Sequence, residues 1–323
     1  MISIVVCHRD EKLLNQFKDN VTNTIGVPFE FVIIDNRRND YSIFQAYNLG
    51  VERSQFDIIC FAHEDLLFHT VSWGEKVIHH FKEVTTGMIG VIGGNAFPKC
   101  PAPWWNNSLL NDHLVHNIQH WNEGFMPQNN PNKKPYSGNE NVSIDYQNPT
   151  GENRIKAVAL DGLWMCAHKR VFEQCKFDEE TFKGFHCYDT DICLQVNQYY
   201  DVYVVYDILI EHLSMGTVAK AWAEAAETLA DKWIDKLPLF KKEINTVFIS
   251  FYNSKCLLTY CYWIQSMGFS DSKIKTIINK YLNWEHSFWS SREDLLLKLW
   301  SKFGFSTARI SYRILKSLIK ENV

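Results

Sequence analysis

Within the first 68 residues, three short apolar runs alternate with two segments of helical spacing, and each run stops on polar side chains. The runs are Ile2-Ser3-Ile4-Val5-Val6-Cys7, Phe29 to Ile34, and Phe56-Asp57-Ile58-Ile59-Cys60-Phe61-Ala62, short and rich in β-formers as buried strands are. Between the first two, Leu13, Leu14, Phe17 and Val21 share a helical face ahead of a Gly26-Val27-Pro28 turn. Between the second and third, Ser42 and Gln45 have capping-box spacing before a helix through Ala46, Tyr47 and Val51. A βαβαβ order predicts a parallel sheet with right-handed crossovers, so the carboxyl ends of the three strands share one edge. Ligands of open α/β sheets bind at that edge. It receives His8, Arg9 and Asp10 from the first strand, Asp35 and Asn36 from the second, and His63, Glu64 and Asp65 from the third.

The same edge excludes some ligands. A dinucleotide site or a P-loop needs glycines after the first strand so that backbone can approach phosphate, and Cys7-His8-Arg9-Asp10 has none. A diphosphate can instead be neutralised by a divalent cation held on carboxylates, a role that Asp65 and its neighbours fit. The net charge of −4 and a pI near 6.3 exclude a general nucleic-acid binder, because phosphate affinity comes from concentrated Lys and Arg. Nine cysteines, an odd number without a CxxC pair, read as reduced thiols of a cytoplasmic protein. The chain has no uninterrupted apolar run of membrane-spanning length.

Taken together, the first strand, Ile33-Ile34-Asp35-Asn36, Asn48-Leu49-Gly50 and Phe61-Ala62-His63-Glu64-Asp65 resemble the nucleotide-binding half of glycosyltransferase family 2. His63-Glu64-Asp65 falls where that family carries its DxD motif, with His63 in place of the first Asp, a variant similar to a bacterial glycosyltransferase-like branch. Further on, Lys156 to Cys166, Arg170, Phe177-Asp178-Glu179 and Tyr188-Asp189-Thr190-Asp191 match the family's second half, with Tyr188 in place of a Glu. The resemblance covers about residues 2 to 215.

What the resemblance implies is an α/β protein of the GT-A fold, a Rossmann-like mixed sheet flanked by helices. It implies an inverting, metal-dependent hexosyl transfer from a nucleotide sugar, a UDP-sugar foremost, to a hydroxyl of a glycan, lipid-linked or protein acceptor in bacterial glycan or polysaccharide synthesis. Mn²⁺ or Mg²⁺ would be held by Asp65 and His212. His8, Arg9, Asp35, Asn36, Asn48, His63, Glu64 and Asp65 would line the nucleotide and donor side, and Asp161, Gly162 and Trp164 the acceptor side. Asp189 matches the general base, with Asp191 beside it. Read without the resemblance, Asp189 is equally a helix cap and His212 a surface histidine. Two alternatives stand beside the transferase. One is a sugar-phosphate nucleotidyltransferase, whose Gly-rich basic loop Cys7-His8-Arg9-Asp10 does not provide; the other is a catalytically silent sugar- or nucleotide-binding protein.

The expected organisation is a GT-A domain over residues 1–238 and a helical region over 239–323. Residues 95–155 hold seven of the nine prolines with Trp104, Trp105 and Trp121, which reads as a long loop or lid on the acceptor side. Within it, His113, His116 and His120 have helical spacing but no Cys or acidic ligand beside them, which points to a polar face rather than zinc. After Gly216 an apolar stripe including Trp222, Ala226, Leu229 and Trp233 predicts a helix that packs on the sheet domain. At the end, Arg309, Arg313, Lys316 and Lys320 make a basic amphipathic face that packs on the helical bundle or touches the inner face of a membrane.

Overall fold

A computed structural model of the chain describes residues 1–105, 113–121, 133–136, 139–216, 219–282, 291–308 and 310. The amino end folds as its alternation predicts: β1 (Ile2–His8), α1 (Glu11–Thr24), β2 (Phe29–Asp35), α2 (Ile43–Arg53) and β3 (Ile58–Ala62) follow in order. Strand β1 lies between β2 and β3 and is parallel to both. Every residue of β3 is buried, and a strand covered on both faces has no wet side for polar residues until it ends. Ser42 and Gln45 make the expected capping box. Asp10 caps α1, accepting from the Lys12 and Leu13 backbone N–H groups. A Cβ at Gly50 would stand 2.2 Å from Val5 Cγ1, so glycine lets α2 lie directly on β1.

The chain continues through β4 (Leu66–Phe68), α3 (Trp73–His80), β5 (Thr86–Gly90), β6 (Ile92–Gly94) and β7 (Ala96–Phe97). Next come β8 (His113–His120), β9 (Lys133–Tyr136), β10 (Asn139–Gln147), β11 (Arg154–Lys156), β12 (Ala159–Leu160) and β13 (Trp164–His168). Helix α4 (Tyr188–Val196), β14 (Asp201–Val205) and β15 (Ile210–His212) complete the first unit. Seven strands form one sheet in the order β11-β14-β5-β13-β3-β1-β2, mixed because β13 runs antiparallel to both β3 and β5. A second sheet has the order β12-β6-β8-β10-β9, with β15 pairing both β8 and β4. This is the mixed sheet with flanking helices that was expected.

Three expectations need correction. Residues 95–155 are not a continuous loop: β8 and β10 are antiparallel partners inside the second sheet. Prolines and asparagines obscured them, and His113, His116 and His120 lie along a strand rather than a helix. Second, the chain divides into Met1–Ala96 with Leu110–Thr217, and Phe97–Leu109 with Val218–Val323. Helix α5 (Lys220–Lys232) therefore belongs with β16 (Leu239–Phe240), α6 (Thr246–Ser266), α7 (Asp271–Tyr281) and α8 (Arg292–Phe303). Its aromatic stripe finds partners on α6: Trp222 lies 5.8 Å from Trp263, and Tyr260 Oη donates to the Ala223 carbonyl at 2.9 Å. Third, Cys60 and Cys166 form a disulfide, and the other seven cysteines remain thiols. The pair consists of direct cross-strand neighbours on β3 and β13, a proximity no sequence spacing reveals. Most of the basic carboxyl-terminal segment lies outside the described residues. Among those described, no helix is long and apolar enough to cross a membrane.

Candidate active site

Strand β3 delivers His63 and Asp65 to the sheet edge, where the His63 N–H donates to the Leu163 carbonyl at 2.9 Å. The β4 and β15 strands pair antiparallel just beyond, and Leu213 N–H donates to the Asp65 carbonyl at 3.0 Å, which brings His212 alongside. The side chains of His63, Asp65 and His212 each present one ligand atom, all within 4.8 Å of one another. His212 Nε2 stands 3.5 Å from Asp65 Oδ2, and the two imidazole centroids are 5.8 Å apart. Burial opposes the charge of Asp65. The hydrogen bond and charge of His212, the charge of His63 and a hydrogen bond from Ser214 outweigh it and hold the carboxyl well below the usual range. Burial, then the neighbouring His212, lowers His63, which favours the neutral imidazole a metal requires. Two imidazoles and a carboxylate that converge as lone-pair donors fit a divalent cation.

A second group of residues adjoins this cluster. Helix α4 opens on Tyr188 and Asp189 after Cys187, whose backbone is left-handed with φ of 67°. Tyr188 Oη lies 2.8 Å from His63 Nε2. A Cβ at Gly162 would meet that hydroxyl at 2.1 Å, so only glycine there leaves room for the contact. Gly162 N–H also donates to Asp189 Oδ2 at 3.1 Å, while Thr190 N–H donates to Oδ1 at 2.7 Å. Burial first, then the charge of Asp161, pushes the Asp189 carboxyl up to about 7. Asp191, fully buried, accepts from Gln195 Nε2 at 2.8 Å, and Gln195 in turn bonds both the N–H and the carbonyl of Lys176 ahead of α4.

Other residues expected at the site have local duties. Glu64 turns back: its carboxylate accepts from the Arg9 and Asp10 backbone at 3.0 and 2.8 Å and contacts His8 Nδ1 at 2.8 Å. His8 is buried between Glu64 and Glu11. Arg9 donates to Asn39 Oδ1, and Asn36 bonds both the N–H and carbonyl of Tyr41. Asn48 does the same for Phe177, tying α2 to the turn before α4. Asp35 stays exposed at the edge, where the hydrogen bonds and charge of Arg37 hold its carboxyl well below the ordinary range.

Trp164 is corrected outright as an acceptor contact. It is fully buried, its ring 6.0 Å from Phe68 and 6.2 Å from Trp73, because its position on β13 faces the core. Trp104 and Trp105 belong to the second unit, where Trp105 lies 6.2 Å from Trp222 and 6.4 Å from Trp263. An aromatic that sequence reading passed over does stand at the site. Phe185 is half exposed with its ring 6.2 Å from His63, and its only signal was its place three residues before Tyr188.

A family model described as a glycosyltransferase-like family matches residues 3–233, well over half of the chain. The chain belongs to this glycosyltransferase-like family. Its mixed α/β architecture is the GT-A arrangement expected of such a member. No curated protein matches the chain. Among solved structures, A197 from STIV is 11% identical with a TM-score of 0.37, covering 75% of this chain and 94% of that one. GalNAc-T7, solved with UDP, GalNAc and Mn²⁺, is 10% identical with a TM-score of 0.45, covering 87% of this chain and 54% of that one.

Proposed function

We propose that this chain is a metal-dependent glycosyltransferase that moves a hexosyl group from a nucleotide sugar, UDP-sugar foremost, to a hydroxyl acceptor with inversion. One observation carries the reading: a cluster built to hold a cation, His63, Asp65 and His212, is joined through Tyr188 to a carboxyl poised to take a proton, Asp189. A bound divalent cation would neutralise the diphosphate as the nucleotide departs. The nitrogen-rich ligand set suits Mn²⁺ better than Mg²⁺, which prefers oxygen. Asp189 supplies the other half, since a group that ionises near 7 can accept the acceptor hydroxyl's proton at neutral pH. The N–H groups of Gly162 and Thr190 keep its two oxygens in place while it does so.

Asp161 and Gly162, beside Asp189, fall to the acceptor side, and Asp35 to the base or ribose. The acceptor is a glycan, a lipid-linked sugar or a protein, in bacterial glycan synthesis at or near the inner membrane face. The seven thiols favour the cytoplasm, and the Cys60–Cys166 disulfide counts against it, because reducing compartments keep such pairs open. The test is nucleotide release from a panel of nucleotide sugars with Mn²⁺ and simple sugar acceptors. Release that disappears with EDTA and returns with Mn²⁺ is expected. Release that is indifferent to EDTA and to Asp65→Asn would remove the metal from the reading.

A further inference from the structure

Strands β8 and β15 are parallel neighbours, and their register places Gln119 directly across from His212. Side chains of such a pair leave the sheet on the same face. The orientation of the Gln119 amide follows from what surrounds its nitrogen. Nε2 donates to the His120 carbonyl at 2.8 Å and to the Ser214 carbonyl at 2.6 Å. Carbonyl oxygens only accept, so the NH₂ must face them and both of its hydrogens are used. Oε1 therefore faces His212, 3.3 Å from Nδ1. The buried Asn117, two residues earlier on the same face, donates to that same oxygen at 3.5 Å.

An amide oxygen can only accept, so the ring nitrogen opposite it must carry the hydrogen. A neutral imidazole has one N–H, which leaves Nε2 with its lone pair. Nε2 is the nitrogen on the Asp65 side, 3.5 Å from Oδ2. We infer that Gln119 is a positioning residue that fixes the hydrogen of the neutral His212 ring on Nδ1, so that Nε2, beside Asp65, is the nitrogen left to take a divalent cation. Metal-binding histidines are commonly oriented by an acceptor on the other ring nitrogen. Here a neutral amide held by two carbonyls does that work. The inference rests on the reading of His212 as a metal ligand.

The tautomer is measured on the metal-free, full-length chain by long-range ¹H–¹⁵N correlation of labelled histidine, which needs no variant. At a pH where the ring is neutral, His212 with its hydrogen on Nδ1 is expected; a neutral ring with its hydrogen on Nε2 overturns the inference. Gln119→Met, of similar length but without an acceptor, should release the tautomer and weaken Mn²⁺ binding, followed by electron paramagnetic resonance, by roughly 10- to 100-fold. An unchanged tautomer and affinity in Gln119→Met overturns the inference. His212→Ala separates the two layers. If it loses Mn²⁺ affinity while Gln119→Met does not, only the positioning role falls; if it binds Mn²⁺ like the wild type, the metal reading falls and takes the positioning role with it.

Discussion

Asp65 follows β3 and sits among two imidazoles, whereas Asp189 opens α4 facing another carboxylate, Asp161. Burial raises both carboxyls, so burial alone would make them alike. Neighbouring groups separate them. His212, His63 and Ser214 carry Asp65 below its ordinary range, while Asp161 adds to burial and carries Asp189 to about 7. Two groups of one chemical type at one sheet edge thus acquire opposite characters, one suited to hold positive charge and one to exchange a proton.

The comparison breaks most visibly in turnover. Asp189→Asn should lower sugar transfer by about a hundredfold or more, the usual contribution of a positioned base, with Mn²⁺ and nucleotide affinity intact by calorimetry. Wild-type transfer by this variant would move the base elsewhere, with Asp191 and Asp161 the nearest carboxyls to try. Asp65→Asn should give the converse pattern: the Mn²⁺-dependent part of nucleotide affinity drops by roughly tenfold or more, since a direct ligand matters at least as much as the groups behind it. Equal nucleotide affinity with and without Mn²⁺ in the wild type would undo that half of the comparison.

Gly162→Ala tests the link between the two groups. The new methyl would collide with the Tyr188 hydroxyl, so Tyr188 must leave His63 at a stability cost of about 1–3 kcal/mol, read as a lower midpoint in urea. A smaller effect concerns pH. Transfer should rise with pH through about 7 as Asp189 loses its proton, and Asp161→Asn should move that rise to lower pH by removing a like charge. A rise that stays in place would assign the titration to another group.

Stability carries the same signature with its sign inverted. The folded chain holds the Asp189 proton up to about 7 while the unfolded chain releases it near 3.8, so folding binds protons between these values. The ionisation penalty is absent below the lower value, grows as pH rises and is complete above about 7. In metal-free protein, Asp189→Asn should flatten that decline of the urea midpoint across the window.

Much of this molecule was legible because its signals are local. Ser42 and Gln45 three residues apart, the apolar runs of β1 to β3, and the apolar stripe that became α5 each depend on neighbours within a turn or a strand. Strands β8 and β10 were missed because neither alternates cleanly between prolines and asparagines; their pairing with each other, and that of β8 with β6 and β10 with β9, makes them strands. Asn48 and Gly50 show a motif read for function that turns out to be architectural, one bonding Phe177 and the other admitting Val5. In His63-Glu64-Asp65, adjacency suggested a common role, yet Glu64 points back to the Arg9 and Asp10 backbone while the residues on either side face His212.

By itself, the sequence determined where polar chemistry could begin: a strand buried on both faces excludes charge along its length, so His63 to Asp65 had to lie at its end. Which of those side chains meet was decided only by the tertiary structure. His212 reaches Asp65 through the pairing of β4 with β15, Gln119 reaches His212 through the register of β8, and Asp189 reaches Gly162 across 27 residues of chain. Register and long-range pairing are properties of the assembled sheets, set by the burial of many side chains at once, and no local pattern of residues encodes them.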